Sequence, residues 1–455
     1  MSQSELDFIS SLSSRNIAVV GAGVTGDAVL HYLNSVGATA DLIDERAEGA
    51  LRDVGKLYEL AIVSPGWRKD HPIITALEAA GTRVMGEVDF AWLVKCEIAP
   101  TQKWVGLTGT NGKTTTVQMV EAIFSTNSIH GVACGNVGTP AITAVSAQPA
   151  YDFLALELSS FQLEWSRLPR YEAGALLNIA PDHLDWHGSF DAYAQAKISL
   201  LTASEVAIIN SQDAESALRA TALAGRKIYF SLDTPARGEL GLVENLLIDR
   251  AFNEDHSQAV AFAELVDIKP TVPHNVSNAM AAAGLALALG IPHEAIQKGL
   301  ASFRLDRHRL EVVHESNGVT WVDDSKATNT HAAAAALLSH LSAIWIAGGL
   351  AKGAAMDDLI ARCANRIKAA ILIGEDRALI ASALKEYAPT VPIHFIEFRG
   401  DSASLMRDVV AKAAELAESG DTVLLAPACA SMDQFKDYKE RGDLFARAVS
   451  ELIKP

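Results

Sequence analysis

The run KWVGLTGTNGKTTT, residues 103–116, packs three structural signals into one short stretch. Trp104 to Leu107 is apolar and β-prone, which predicts a strand. Thr108-Gly109-Thr110-Asn111-Gly112-Lys113-Thr114 follows as a glycine-bearing turn, and Thr115 to Ser125 suits a helix. A strand, a glycine turn and a helix N-terminus in that order make a phosphate cradle. Backbone N–H groups converge on the anion, and the helix dipole favours negative charge. Lys113 would reach the β- and γ-phosphates, and the Thr114 hydroxyl would ligate Mg²⁺. A strict Walker A run needs glycine five residues before the Gly-Lys pair, where this chain has Leu107. The competing reading is a glycine-rich turn that binds nothing, and Lys113-Thr114-Thr115 argues against it.

Upstream, Ile17-Ala18-Val19-Val20 reads as a buried strand, followed by Gly21-Ala22-Gly23-Val24-Thr25-Gly26 and a helix to about Val36. A second strand, Ala40 to Ile43, ends at Asp44. This is a full dinucleotide fingerprint and, taken alone, points to an NAD-dependent oxidoreductase. Its glycines serve any nucleoside diphosphate, however, so a UDP-type ligand fits as well. Glu45-Arg46 directly after Asp44 weakens the ribose reading, and an empty Rossmann-like turn is the third possibility. Ala61 to Gly66 reads as strand and turn, and His71-Pro72 opens another helix.

Downstream, Gly135-Asn136-Val137-Gly138 looks like a loop near nucleotide or substrate. Phe153 to Leu158 is an apolar strand holding Glu157 between leucines; a carboxylate there is either a costly buried charge or a metal ligand. A strand over Ala175 to Ile179 leads into Pro181-Asp182-His183-Leu184-Asp185-Trp186-His187. Zinc would want a tighter ligand set, so Mg²⁺ with oxygen ligands and one His is the better match; a polar surface turn is the alternative. In the helix Phe190 to Leu201, Lys197 reads as an ordinary solvated lysine. A strand Val206 to Asn210 and a helix from Asp213 follow, then a β-leaning stretch over 226–269. Asn275 and Asn278 lie one turn apart before an Ala-rich helix to Leu289, placed to read a base edge, to cap the helix, or both.

From residue 306 onward strands and helices alternate again, predicting a third parallel α/β unit: Val319 to Val322, Thr330 to Leu341, Ala343 to Ala347, Asp357 to Ile367, Ala370 to Ile373, His394 to Ile396, Ser402 to Leu416 and Thr422 to Ala426. Polar clusters follow its strands, where open α/β sheets bind ligands. Arg307-His308-Arg309 falls at the expected hinge, so an Arg reaching ATP phosphates would tie catalysis to domain closure.

The whole-chain figures bound the rest. A length of 455 residues suggests about three domains, and 49% apolar residues can fill several cores. A net charge of −17 without a long basic run argues against a nucleic-acid partner, though a local cradle still binds phosphate. Cys96, Cys134, Cys363 and Cys429 form no CxxC pair, which leaves zinc and disulfide frameworks unsupported. The terminus MSQSELDFISS is unlike a signal peptide, and Ala279 to Ile291 is too short to span a bilayer. A soluble cytoplasmic protein with no membrane partner is expected.

Seven motifs occur in one order: TGTNGKTT (108–115), LELSSFQLE (156–164), PDHLDWHGS (181–189) with Ala196-Lys197 beyond it, HNVSNA (274–279), RHRLEVV (307–313), DDSKATNT (323–330) and APACASMDQFKDYKERGD (426–443). Together they resemble the Mur ligase and folylpolyglutamate synthase superfamily, and within it the D-glutamate-adding ligases of peptidoglycan synthesis. The resemblance spans the chain and implies three α/β domains. These are a Rossmann-like UDP-substrate domain over 1–100, a P-loop ATPase-type domain over 101–305 and a Rossmann-like amino-acid domain over 306–455. It implies ATP-dependent joining of D-glutamate to UDP-N-acetylmuramoyl-L-alanine through an acyl phosphate, by a monomer using ATP and two Mg²⁺.

The resemblance also assigns residues. Gly109, Thr110, Asn111, Gly112, Lys113, Thr114 and Thr115 would bind ATP, with Asn275 and Asn278 on adenine and Arg309 and Asp324 by the nucleotide. Thr114, Glu157, His183 and Lys197 would hold metal, Lys197 as a carbamylated lysine. Lys113, His183, Lys197 and Arg309 would be catalytic. Gly23, Val24, Thr25, Glu45, Arg46, Asn136 and His183 would face the UDP substrate. Thr328, Lys352, Ser431 and Tyr438 would take D-glutamate, Tyr438 standing where the family pattern usually has Phe.

Overall fold

The runs Ile17-Ala18-Val19-Val20 and Leu60-Ala61-Ile62-Val63 are apolar at every position, as strands covered on both faces must be. They form the centre of the first of three sheets in the computed structural model, which describes residues 8–45, 57–253, 255 and 258–453. The chain divides into two compact units, one up to Phe303 and one from Arg304.

In the first unit, β1 (Ile17–Val20), β2 (Ala40–Ile43), β3 (Leu60–Val63) and β4 (Arg83–Gly86) lie parallel in the order β2-β1-β3-β4. Alternate residues of β1 enter different cores: Ile17 and Val19 join Phe8, Leu33 and Phe90, whereas Ala18 and Val20 join Ile73, Ile74 and Leu77. The first of these cores runs on into the second sheet through Trp104, Leu154 and Tyr171.

The second sheet has nine strands: β5 (Lys103–Thr108), β6 (Gly131–Gly135), β7 (Phe153–Glu157), β8 (Tyr171–Leu176), β9 (Ser204–Asn210), β10 (Arg226–Phe230), β11 (Glu239–Val243), β12 (Leu246–Asp249) and β13 (Val260–Glu264). Their order is β13-β12-β11-β10-β9-β8-β5-β7-β6, parallel from β6 to β11 and antiparallel at the β12 and β13 end. The helix Lys113–Thr126 leaves β5 and packs so closely on His293–Ser302 that a Cβ on Gly299 would lie 2.4 Å from Ile123 Cα. The strand expected over Ala175 to Ile179 instead ends at Leu176. Beyond it the chain turns its hydrogen bonds to the phosphate loop: Leu177 N–H donates to Thr108 O and Thr110 N–H to Asn178 O, both at 3.0 Å.

The second unit holds β14 (Glu311–Ser316), β15 (Val319–Asp323), β16 (Ala343–Gly348), β17 (Ile367–Ile373), β18 (Ile393–Phe395) and β19 (Thr422–Leu425), ordered β14-β15-β19-β16-β17-β18. Its faces are covered by Thr330–Leu338, Asp357–Cys363 and Arg377–Tyr387 on one side and Ser402–Leu416 and Tyr438–Leu452 on the other. The α/β class read from the sequence holds, but this sheet is not wholly parallel. β14 pairs antiparallel with β15 across Asn317-Gly318, both at positive φ, as a two-residue hairpin turn requires. The helix Arg377–Tyr387 was also unforeseen, and the expected helices reaching Leu341 and Ile367 stop at Leu338 and Cys363. No helix among the described residues is long and apolar enough to cross a membrane.

Glu87 ties the two sheets of the first unit together. It opens the helix Glu87–Ile98 beyond β4, and its buried Oε1 accepts the Ile142 N–H at 2.7 Å, capping Ala141–Val145. Burial pushes its carboxyl from about 4.5 up to about 7, against the pull of the Ile142 and Ala141 N–H groups. Between those values the folded chain keeps a proton that the unfolded chain has released, so stability falls as pH rises through the window. Glu87→Gln keeps the acceptor and removes the titration. Its unfolding free energy is expected to fall less steeply from pH 5 to 8 than the parent's, by on the order of 3 kcal/mol. Equal slopes in urea titrations at the two pH values would refute this role.

Candidate active site

Gly112 caps the helix Lys113–Thr126 at φ 85°, and a Cβ there would sit 2.4 Å from Asn278 Oδ1. The positive φ favours glycine there, and any Cβ would also push Asn278 aside. Thr114 and Thr115 are buried in the first helical turn. The Lys113 Nζ donates to Gly109 O and Thr110 O, each at 2.9 Å. The Thr110 hydroxyl meets the Tyr193 hydroxyl at 2.8 Å and accepts the Ala180 N–H at 2.9 Å. Asn275 and Asn278 do not cap their helix, because Val272 holds that position and both asparagines lie inside Pro273–Ala288. Asn275 donates to Pro270 O at 3.0 Å, and its buried Oδ1 has no hydrogen-bond partner among the described residues. An acceptor left in that state suits the amino group of a base.

Lys197 contradicts its reading as a solvated lysine: it is 1% exposed. Its Nζ donates to Gly109 O at 2.8 Å, approaches Thr108 Oγ1 at 3.4 Å and lies 4.7 Å from the Tyr193 ring centre. Burial holds its ammonium well below its ordinary pKa, and the nearby Lys113 lowers it further. Glu157 ends β7 beside β5. Its Oε1 accepts from Asn136 Nδ2 at 3.2 Å, while its buried Oε2 has no hydrogen-bond partner among the described residues. An orphaned carboxylate oxygen beside a threonine-bearing phosphate loop fits a hard divalent cation. Lys197 fits that cation only once its positive charge is removed.

His183 sits at φ 52° with its N–H on Asp182 Oδ1 at 3.0 Å and its ring 4.7 Å from that of Phe161. Burial, then Lys113 and Lys197, lower its pKa despite Asp182, leaving a neutral imidazole at neutral pH, the form that binds metal. His187 packs on Phe161 and bonds Ser160 Oγ at 3.0 Å, and burial brings it down to about 4. His187 belongs to the 181–187 cluster read from the sequence, whereas Tyr193 carried no distinguishing signal; the ring contact between them appears only in the fold.

In the first sheet, a Cβ on Gly26 would fall 1.9 Å from Gly21 O, so the turn is as tight as its fingerprint implies. Asp44 is buried and accepts the Ala22 N–H at 2.9 Å, which pins the glycine turn. Gly23 caps Val24–Ser35 without a side-chain bond, leaving Val24 exposed and Thr25 half-buried. Glu45 lies 3.5 Å from His71 Nε2, and Arg46 lies outside the described residues.

In the second unit, Arg309 sits between His308 and Leu310, both at positive φ. That turn is fastened by His308 Nδ1 to Asp323 Oδ2 at 2.6 Å and by the Leu310 N–H to Asp324 Oδ1 at 3.2 Å. Burial pushes Asp324 up to about 7, although the Leu310 N–H and Arg309 favour its charged form. Thr328, Ser431 and Tyr438 lie on segments stapled by Arg441, a residue that the sequence reading passed over. The fully buried Arg441 donates to Ser325 Oγ at 2.9 Å, Ser325 O at 2.8 Å and Cys429 O at 3.2 Å. Ser325 Oγ in turn donates to Tyr438 O at 2.8 Å, and Lys326 Nζ reaches the Tyr438 hydroxyl at 3.2 Å. Lys352 is exposed at φ 50°, on a loop bridged to the same region by Leu350 and Ala430.

Known proteins share this arrangement. A model of the Mur ligase middle domain matches residues 107–286, and one of the Mur ligase, glutamate ligase domain matches residues 308–429. The protein named UDP-N-acetylmuramoylalanine--D-glutamate ligase in Streptomyces avermitilis is 44% identical, over 96% of this chain and 98% of that one. Its namesake in Thermobifida fusca is also 44% identical, over 97% and 99%. Among solved structures, a pseudomurein peptide ligase type C from Methanothermus fervidus has a TM-score of 0.61 at 18% identity, over 97% of this chain and 100% of that one. The UDP-N-acetylmuramate-alanine ligase MurC of Thermotoga maritima has 0.59 at 16%, over 96% and 99%; at such identities the likeness concerns the fold. Full-length identity of this order, together with the two matching family models, places the chain in the Mur ligase family.

Proposed function

We propose that this chain joins D-glutamate to UDP-N-acetylmuramoyl-L-alanine at the expense of ATP, within peptidoglycan precursor synthesis. The observation that carries the reaction type is the gathering of Lys113, Glu157, Asp182, His183 and Lys197 around the loop 108–115. The substrate pair rests on the names of the full-length relatives. We further propose that the chain acts as a cytoplasmic monomer, with the UDP substrate on residues 1–100, ATP on 101–305 and D-glutamate on 306–455.

The L-alanyl carboxylate attacks the γ-phosphate, ADP leaves, and the resulting acyl phosphate is attacked by the D-glutamate amine with loss of phosphate. Such steps ask for alignment and charge neutralisation more than covalent help. Lys113 would exchange the carbonyls of Gly109 and Thr110 for the phosphates, and Arg309 would add a second cationic contact, with Asp324 by the nucleotide. Mg²⁺ would neutralise the phosphate oxygens, held by Thr114, Glu157, His183 and a carbamylated Lys197, two ions in all. The orphaned Glu157 Oε2 and the low-pKa amine of Lys197 support that assignment, because only a neutral amine takes up carbon dioxide. Asn275 and Asn278 would read adenine. Gly23, Val24, Thr25, Glu45, Arg46, Asn136 and His183 would face the UDP substrate, and Thr328, Lys352, Ser431 and Tyr438 the D-glutamate.

The deciding experiment is phosphate release from ATP and Mg²⁺ with UDP-N-acetylmuramoyl-L-alanine, comparing D-glutamate with L-glutamate, L-lysine, diaminopimelate and no acceptor. Release dependent on D-glutamate is expected; release with another acceptor alone would move the specificity, and none at all would remove the ligase reading. Lys113→Ala is expected to lower kcat by about 10³-fold by stripping charge from the transferred phosphoryl group, and near-normal turnover would contradict that role. Lys197→Ala is expected to be inactive and to recover in part with added short carboxylates. Full activity without them would exclude the carbamate.

A further inference from the structure

We propose that Asn178 is a positioning residue for the nucleotide loop, fixing its distance from the segment that carries His183. The inference rests on the reading of residues 108–115 as the ATP site. After β8 ends, residues 177–180 run beside 108–111 and bond to them almost residue by residue. Leu177 N–H donates to Thr108 O and Thr110 N–H to Asn178 O, both at 3.0 Å. The Asn178 side chain then takes over from the backbone. Its Oδ1 accepts the Asn111 N–H at 2.8 Å, and its Nδ2 donates to Asn111 O at 3.1 Å. A primary amide alone offers donor and acceptor side by side in this way; a carboxylate only accepts and an alkyl group does neither.

The clasp is braced from behind. Asn210 Nδ2 donates to Leu177 O at 3.0 Å, and Asp213 Oδ1, which also caps Ala214–Ala220, accepts the Ile179 N–H at 3.1 Å. With the N–H groups of Thr110 and Asn111 turned to Asn178, those two are taken, while the N–H groups from Gly112 onward lie where the helix dipole favours an anion. His183 follows five residues after Asn178 on the same segment. Asn178 therefore couples the placing of the phosphates to the placing of the metal-binding imidazole.

The test uses the full chain with Mg²⁺ and a non-hydrolysable ATP analogue in calorimetry, with UDP-N-acetylmuramoyl-L-alanine as the control ligand. Asn178→Leu, which removes both bonds, is expected to weaken the analogue tenfold or more, to leave the control ligand within twofold and to raise KM for ATP more than it lowers kcat. Asn178→Asp keeps the acceptor and is expected to fall between. Analogue binding within twofold of the parent in both variants would overturn the proposal. So would an equal loss of both ligands with a lowered Tm, the mark of a purely structural residue. Should the Leu variant not fold, the Asp variant decides: loss of the analogue alone supports the role, and parental binding removes it. If the parent chain itself binds no analogue, the ATP reading has failed, and that outcome is separate from any variant's.

Discussion

The carbonyls of Gly109 and Thr110, in the glycine-bearing loop, face the protein, and they have to be satisfied there. Much of the first unit follows from that constraint. Gly109 O receives both Lys113 and Lys197, and Thr110 O receives Lys113. To reach Gly109, Lys197 must be buried, so its helix Phe190–Thr202 packs beneath the loop with Tyr193 against the amine. Tyr193 in turn holds the Thr110 hydroxyl. The lysine most heavily desolvated is thus one of two that satisfy the Gly109 carbonyl.

The second unit solves a different problem. The segments proposed to meet D-glutamate follow three different strands, β15, β16 and β19, and such loops depend on what crosses between them. Arg441 spans two of them with three donated bonds and, among the described residues, no ion pair; burial brings its guanidinium down to about 10 although Asp433 and Asp323 favour its charge. The donors are used on backbone and hydroxyl oxygens, which fix position without cancelling charge.

What was legible beforehand divides by range. Strands flanked by turn glycines were visible because their signals are local: β1 and β2 start and end where the apolar runs do. The β14 hairpin was equally local, since Asn317-Gly318 announces it, and it was overlooked because the neighbouring alternation suggested parallel strands only. Lys197 is the opposite case. Nothing in Ala-Lys within an amphipathic helix separates a solvated lysine from a buried one, because the carbonyl that buries it lies 88 positions away. Asp44 shows a related limit: a carboxylate after a second strand can serve a ribose or its own glycine turn, and the sequence does not show that it accepts the Ala22 N–H.

The helix Pro273–Ala288 carries a consequence for how this protein can change. Ala279, Ala281, Ala282, Ala283 and Ala286 are wholly buried, and a Cβ on Gly284 would already press on Ile208 and Leu240 at 3.2 Å. Such a rod has no volume to give up, so nearly every replacement along it overfills the core. Its first turn is less tightly filled at Pro273 and His274, and there the buried Asn275 and Asn278 stand, Asn278 against Gly112. If Asn275 and Asn278 read a base, as proposed above, a change in which base is preferred would have to be made in one helical turn attached to a closely packed shaft.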